Sequence, residues 1–332
     1  MLKRTIAYVF SAILICGGID VSNSFANGYR NYIIATGKKG GIYYTVGVAI
    51  STLINIKLAK DGIVTTVITS TGDKENVRLL KDKKADFAIL SGLYAPVAYR
   101  GGDFKDKSRG VFYAVAALWP SVEHFLLLRR YVRTGYILDL KGLRKRFLVG
   151  SRGSETYLST KAIFNALGIK IWRDLYPVYS TCNKSMKKLV SGEVVGVGAI
   201  GYPPVASVKE LFSKLGAKRI VVLNFSSREV RKLESKYDAW YRYVLKPGTY
   251  AGQSVPVYTV AQSNFLVARR GLPQKDIYAI VKTIYKNLQF LHSICKSINF
   301  IKLRNALKGL SVPLAPGAIK FYRENDLTYY LK

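Results

Sequence analysis

One order recurs along this chain and limits what it can fold into: a short apolar or β-branched run, a polar glycine loop, then apolar positions three or four apart. Residues 32–36 are the first run, TGKKGGIYYT follows, and from Tyr43 the positions Val46, Ile50, Leu53 and Ile54 mark one helical face. The β-branched stretch IVTTVI (63–68) reads as a second strand, and Ser70, Thr71, Gly72 and Asp73 lead from it into a helix carrying Val77, Leu79 and Leu80. Residues 87–90 form a short buried strand ending at Ser91 and Gly92. Strands alternating with helices predict a parallel sheet whose carboxyl-end loops are open to a ligand.

A similar unit returns. Residues 147–149 are a strand, 150–154 a glycine loop, and 155–167 a helix stopped by Gly168. Further on, SGEVVGVGAIGYPP has the style of KKADFAILSGLYAP, an echo that two facing α/β lobes would explain. From Tyr237 the chain mixes aromatics, a turn at Pro247 and Gly248, and strand-like alternation. Helices are predicted over 272–291 and from Pro316, with this last third packing back on the first lobe.

A length of 332 residues at 49% hydrophobic content suffices for two domains with their own cores and excludes disorder. Lys3 and Arg4 precede an apolar stretch over 5–15, and Ser24, Phe25 and Ala26 offer a cleavage site. The segment 1–26 therefore reads as a signal peptide cut after Ala26, placing the protein in the periplasm, with an uncleaved anchor as the other reading. Ile15 is too bulky before Cys16 for lipoprotein processing. No later segment is expected to reach transmembrane length without charge.

Cleavage leaves 50 basic against 19 acidic side chains, or +31. Spread along the chain, with no basic arm or aromatic-basic repeat, this charge reads as solvated faces and argues against nucleic acid as a partner. Cys182 and Cys295 remain, able to pair or to stay as separate buried thiols. His124 and His292 are the only histidines, both read as structural. No HExxH, paired CxxC, GxSxG or P-loop is present, so the chain reads as neither an enzyme nor a holder of metal or cofactor.

Binding is better served. A loop feeding a helix leaves backbone N–H groups unpaired at an end of partial positive charge, where an anion can sit. Gly40 with Gly41, Ser70 to Gly72, and Gly150 to Ser154 all stand at such junctions. The stretches IIATGKKGGIYYTVGVAIS, VTTVITSTGDKENVRLLKDKKADFAIL and YVLKPGTYAGQSVPVYTV, with LPQKDIYAIVKTIYKN and LAPGAIKFYREN, resemble the TAXI branch of TRAP-transporter solute-binding proteins.

The resemblance runs over most of residues 30–327. It implies a two-lobed, type II periplasmic-binding-protein fold, each lobe a mixed sheet flanked by helices, with residues 27–122 plus 225–332 in the first lobe and 123–224 in the second. It also implies capture of a glutamate- or glutamine-like carboxylate or amino acid by cleft closure and delivery to a membrane TRAP permease. The family's Gly-Gly-Thr-Tyr-Tyr loop matches Gly40, Gly41, Ile42, Tyr43 and Tyr44; its Ser-Thr-Gly-Gly-Ser-x-Glu-Asn stretch matches Ser70 to Asn76, one residue shorter. Its Gly-Ser-Gly-Thr helix start matches Gly153, Ser154, Glu155 and Thr156, and Tyr202 lies in a loop that faces the cleft.

The resemblance gives Tyr43 ring packing and a hydroxyl for the solute, and makes Ser70, Thr71, Ser154 and Thr156 donors. Ser91 becomes a wall residue. Three departures follow: Ile42 replaces a threonine, Asp73 and Lys74 replace Gly-Ser, and Glu155 replaces a glycine. Glu155 repels a dicarboxylate unless it points to solvent, or else it holds an ammonium group. The competing reading is a basic surface-interaction protein on anionic lipid or polysaccharide, its cleft vestigial.

Overall fold

The computed structural model describes residues 28–101, 110–180, 182–294 and 296–327. The signal segment and the side chains of Cys182 and Cys295 lie outside them. The first three strands each feed a helix: β1 (Arg30–Ala35) into α1 (Ile42–Leu58), β2 (Ile63–Ile68) into α2 (Asp73–Lys81), and β3 (Phe87–Ser91) into α3 (Tyr94–Tyr99). A 17-residue strand, β4 (Phe112–Leu128), follows.

The second set comprises β5 (Arg146–Leu148), α4 (Glu155–Leu167), α5 (Ile171–Asp174), β6 (Tyr176–Val178), α6 (Cys182–Val190) and β7 (Gly196–Gly201). It continues with α7 (Ala206–Leu215), β8 (Ile220–Val222), α8 (Ser227–Lys236) and β9 (Trp240–Leu245). The chain then returns along β10 (Val257–Arg269) to α9 (Gln274–Lys286), α10 (Leu288–Ile294) and α11 (Pro316–Arg323). Gly168 ends α4 at φ 73°, the left-handed conformation a glycine adopts without cost.

All strands join one sheet in the order β2-β1-β3-β10-β4-β7-β5-β6, with β8 on β4 and β9 on β10. Strand β1 is parallel to β2 and β3, and β5 is parallel to β6 and β7. The expectation of a parallel sheet holds only inside these two groups. Between them β10 runs antiparallel to β3 and β4, and β4 antiparallel to β7. Both are long strands crossing from one group to the other, so each must meet some neighbours head to tail.

The expectation that no later segment reaches transmembrane length without charge bears on α1, which carries Lys57, with Lys60 and Asp61 just after it. Continued by a 3-10 turn to Asp61, α1 is long and apolar enough by length and composition to cross a membrane. Its face of Val46, Ile50, Leu53 and Ile54 is instead buried in the core, each such side chain contributing about 1.5–3 kcal/mol on burial.

Three hydrophobic clusters divide the interior. The first takes residues from Tyr32 to Trp119 and again from Phe265 to Tyr322. The other two take residues from Val122 to Ala261, including Phe225, Trp240 and Leu245. Membership therefore changes along β4 between Trp119 and Val122, and along β10 between Ala261 and Phe265. At those crossings lies a belt of buried polar side chains: Ser121, Glu123 and His124 on β4, with Gln262, Ser263 and Asn264 on β10.

Candidate functional site

A cavity of about 600 Å³ is lined by Tyr43 of α1, the loop and first turn of α2 (Thr71 to Lys74) and Ser91. Beyond Ser91 its wall includes Leu93, Tyr94 and Val97. Across from these stand Gly153, Ser154, Glu155, Leu158 and Ala162 at the start of α4, with Tyr237 closing one side. Two helix N-termini, α2 and α4, thus border one space.

Hydrogen bonds tie this lining to the polar belt. The Tyr43 hydroxyl donates to Asn264 Oδ1 at 2.9 Å, and Asn264 Nδ2 donates to Ser121 Oγ at 2.9 Å. The Ser121 hydroxyl also acts on the Glu155 carboxyl, favouring its charged form. Deeper in the belt, Ser159 of α4 donates to Glu123 Oε1. Tyr43 also packs edge-on against Trp119, ring centroids 5.4 Å apart.

The cavity's charge is set by two carboxyls that approach it from opposite sides. Asp73 accepts from the Ser91 hydroxyl and from Ser91 N at 3.2 Å, and its Oδ1 lies 3.3 Å from the Tyr43 hydroxyl. Burial still holds its pKa above the usual carboxylate range against those bonds. Glu155 is pushed up to about 7, first by burial and then by the charge of Asp73, while the Ser121 hydroxyl opposes. Its Oε1 is shielded from solvent and has no hydrogen-bond partner. Burial, with Asp73 and Glu155 adding to it, also raises the Tyr43 phenol. Beneath them burial lifts Glu123 up to about 8.

Of the residues singled out in the sequence, the structure gathers Tyr43, Thr71, Ser91, Gly153, Ser154 and Glu155 around the cavity. Gly40, Gly41, Ile42, Ser70, Thr156 and Tyr202 are not in its lining. Gly40 and Gly41 are exposed, and Ile42 and Tyr202 pack against the first core cluster. Ser70 is buried, its hydroxyl 2.6 Å from Asn76 Oδ1 and 3.0 Å from Thr36 O. Thr156 lies beside Gly150 in the first turn of α4.

Several donors expected to meet a solute are used within the chain. Thr71 donates through N and Oγ1 to Glu75 Oε2, at 2.8 and 2.7 Å. Ser154 caps α4: it accepts from Tyr157 N and donates to Ser151 O at 2.7 Å. Asp73 takes both donors of Ser91.

Asp73, Leu93, Val97, Leu158, Ala162 and Tyr237 line the cavity without having been singled out as site residues. Leu158 and Ala162 had a legible signal, standing three and seven positions after Glu155 on the same helix. Asp73 had one too, as an acid at the first helical position after Gly72.

The two histidines make main-chain bonds. His124 Nδ1 donates to Val122 O at 2.9 Å while Nε2 accepts from the Tyr250 hydroxyl at 2.8 Å, and burial lowers its pKa to about 4. His292 Nε2 lies 3.0 Å from Ile301 O. Among the described residues no group of three or more His, Cys, Asp and Glu converges as a metal ion would require.

Two parallel strand groups joined by two crossing strands, with a cavity between facing helix ends, define a two-lobed protein of the periplasmic-binding-protein-like class. The chain belongs to the NMT1-like family, whose pattern matches residues 34–325. It superposes on XAC2383 from Xanthomonas citri, solved bound to ATP, with a TM-score of 0.51 at 8% identity over 91% of this chain and 96% of that one. It also superposes on a putative periplasmic sulfonate-binding protein, SsuA, from Methylobacillus flagellatus KT. There the TM-score is 0.50 at 16% identity, over 90% of this chain and 78% of that one.

Proposed function

We propose that this chain is a non-enzymatic, extracytoplasmic solute-binding protein. It takes an amino acid or small organic acid between its lobes and hands it to a membrane permease of the TRAP type, as the TAXI resemblance implies. The observation that carries this reading is the 600 Å³ cavity bordered by the N-termini of both α2 and α4, a size suited to a small molecule. The periplasmic location rests on the signal-like segment 1–26 and on the class of the fold.

The lobes are taken to divide where the core clusters exchange, at Ser121 on β4 and Gln262 to Asn264 on β10. A solute touching both lobes favours the closed form, since only a ligand with different affinity for the two forms can shift them. The mature chain is therefore expected to compact in small-angle scattering and to melt higher when its solute is added. Native mass spectrometry of the freshly purified protein gives a direct test by showing whether a small molecule travels with it. A chain that carries nothing, and neither compacts nor stabilises across a library of amino acids, amines and organic acids, is not a solute-binding protein.

A further inference from the structure

We infer that the solute of this cavity carries an ammonium group on an apolar body, the ammonium held between Asp73 and Glu155 and the body laid against Leu93, Val97 and Leu158. The inference rests on the reading of the cavity as a solute site and names the chemistry that site selects.

An anion arriving at a helix N-terminus needs free donors, and here the hydroxyls are already engaged. Ser91 serves Asp73, Thr71 serves Glu75, and Ser154 serves Ser151 O. An incoming carboxylate would also meet two carboxyls of the protein, one from each side of the cavity. The only cationic side chain in the lining is Lys74, which is exposed.

The buried Oε1 of Glu155 is an acceptor without a donor, and buried acceptors are ordinarily satisfied. An ammonium supplies three donors and no acceptor, which is what two facing carboxyls lack. A divalent ion fits poorly, since it asks for six or more oxygen ligands and this wall supplies only two carboxyls, Asp73 and Glu155. A second carboxylate, as in glutamate, would find no buried cation to meet it. Burial and the charge of Asp73 push the Glu155 pKa up to about 7, and an ammonium seated between the two carboxyls would favour their charged forms.

The test uses the mature chain and three probes in titration calorimetry at pH 7.5: phenethylamine, 3-phenylpropionate and L-glutamate. Phenethylamine is expected to bind at least about tenfold more tightly than either of the others. Glu155→Gln should weaken it by about tenfold or more without lowering the melting temperature. Asp73→Asn provides the same comparison should the first variant fail to fold. Equal or tighter binding of 3-phenylpropionate or L-glutamate overturns the inference, and so does full amine affinity in a folded Glu155→Gln protein. A carboxylate that binds and compacts the chain sinks this inference while leaving the solute-binding reading intact. Failure of all three probes overturns the inference, and only a chain that also carries nothing and responds to no member of the wider library loses the solute-binding reading.

Discussion

Three raised carboxyls, Asp73, Glu123 and Glu155, make the folded protein hold protons that the unfolded chain would release. Burial, opposed mainly by the bond from Ser159, lifts Glu123 up to about 8, and Glu155 is lifted up to about 7, both from the usual 4.5. Between roughly pH 4.5 and 8 these carboxyls make the folded state bind more protons, and their effect is that stability falls as pH rises through that window. Buried His124, lowered from 6.5 to about 4, opposes them below pH 6.5 but is one group against three. For Asp139 burial raises the pKa, but bonds from the Thr134 hydroxyl and from the amides of Gly135, Thr134 and Arg133 outweigh it and lower it. Its contribution is lost only as pH falls below the usual 3.8. The ligand-free protein is therefore expected to melt several degrees higher at pH 5.5 than at pH 8.5. Glu155→Gln should remove part of that slope, as thermal unfolding followed by near-UV circular dichroism would show; an unchanged slope would mean that Glu155 ionises normally. Tyr43→Phe keeps the ring contact with Trp119 but strips Asn264 Oδ1, buried on β10, of its donor. The expected loss is about 1–3 kcal/mol in urea unfolding, the usual cost of an unsatisfied buried acceptor. The residue types at the cavity were legible in the sequence because loop-to-helix junctions are local. That Asp73 takes both donors of Ser91 was not, since it depends on how closely α2 lies against the end of β3.

At the scale of elements, legibility follows the range of the forces that build each one. The α4 helix could be read to its last residue, because its cap, its periodicity and its stop at Gly168 all lie within one stretch of chain. The predicted helix over 272–291 is found as α9 and α10, interrupted at Asn287, which caps the end of α9. Strands β4 and β10 were the blind spot. Their pairing joins Ala261 to Val122 and Ala268 to Tyr113, partners far apart in sequence, and β4 is buried along nearly its whole length, so no alternation of polar and apolar residues marks it. Packing between elements was equally hidden. Gly317, at the start of α11, lies so close to α9 that an added Cβ would fall 2.2 Å from Gln274 O and 3.0 Å from Tyr278 N. Both are main-chain atoms, so Gly317→Ala must push the two helices apart. The expected cost is about 1–3 kcal/mol, seen as a lower denaturation midpoint, with solute affinity at the distant cavity unchanged. A melting point equal to that of the parent protein would show that the helices slide without penalty.

For the molecule as a whole, the net charge of +32 and the two carboxyls of the cavity act on a cationic solute in opposite senses and over different ranges. The net charge is spread over the surface, so its field reaches into solution and repels an approaching ammonium until salt screens it beyond about 8 Å at physiological ionic strength. Asp73 and Glu155 act at contact, where little salt penetrates. Raising the ionic strength should therefore speed the association of phenethylamine while hardly altering its dissociation, the reverse of ordinary electrostatic steering. An anionic solute would show the usual pattern, arriving faster at low salt. The chain has 24 tyrosines and 3 tryptophans, among them Tyr43 in the cavity lining and Trp119 packed against it, so stopped-flow fluorescence can follow the encounter. Between 20 and 200 mM sodium chloride the association rate constant is expected to rise about twofold or more, in keeping with the steep salt dependence of charge-guided encounters. A rate that falls over that range would mean that acidic side chains around the mouth of the cleft, and not the total charge, govern what enters it.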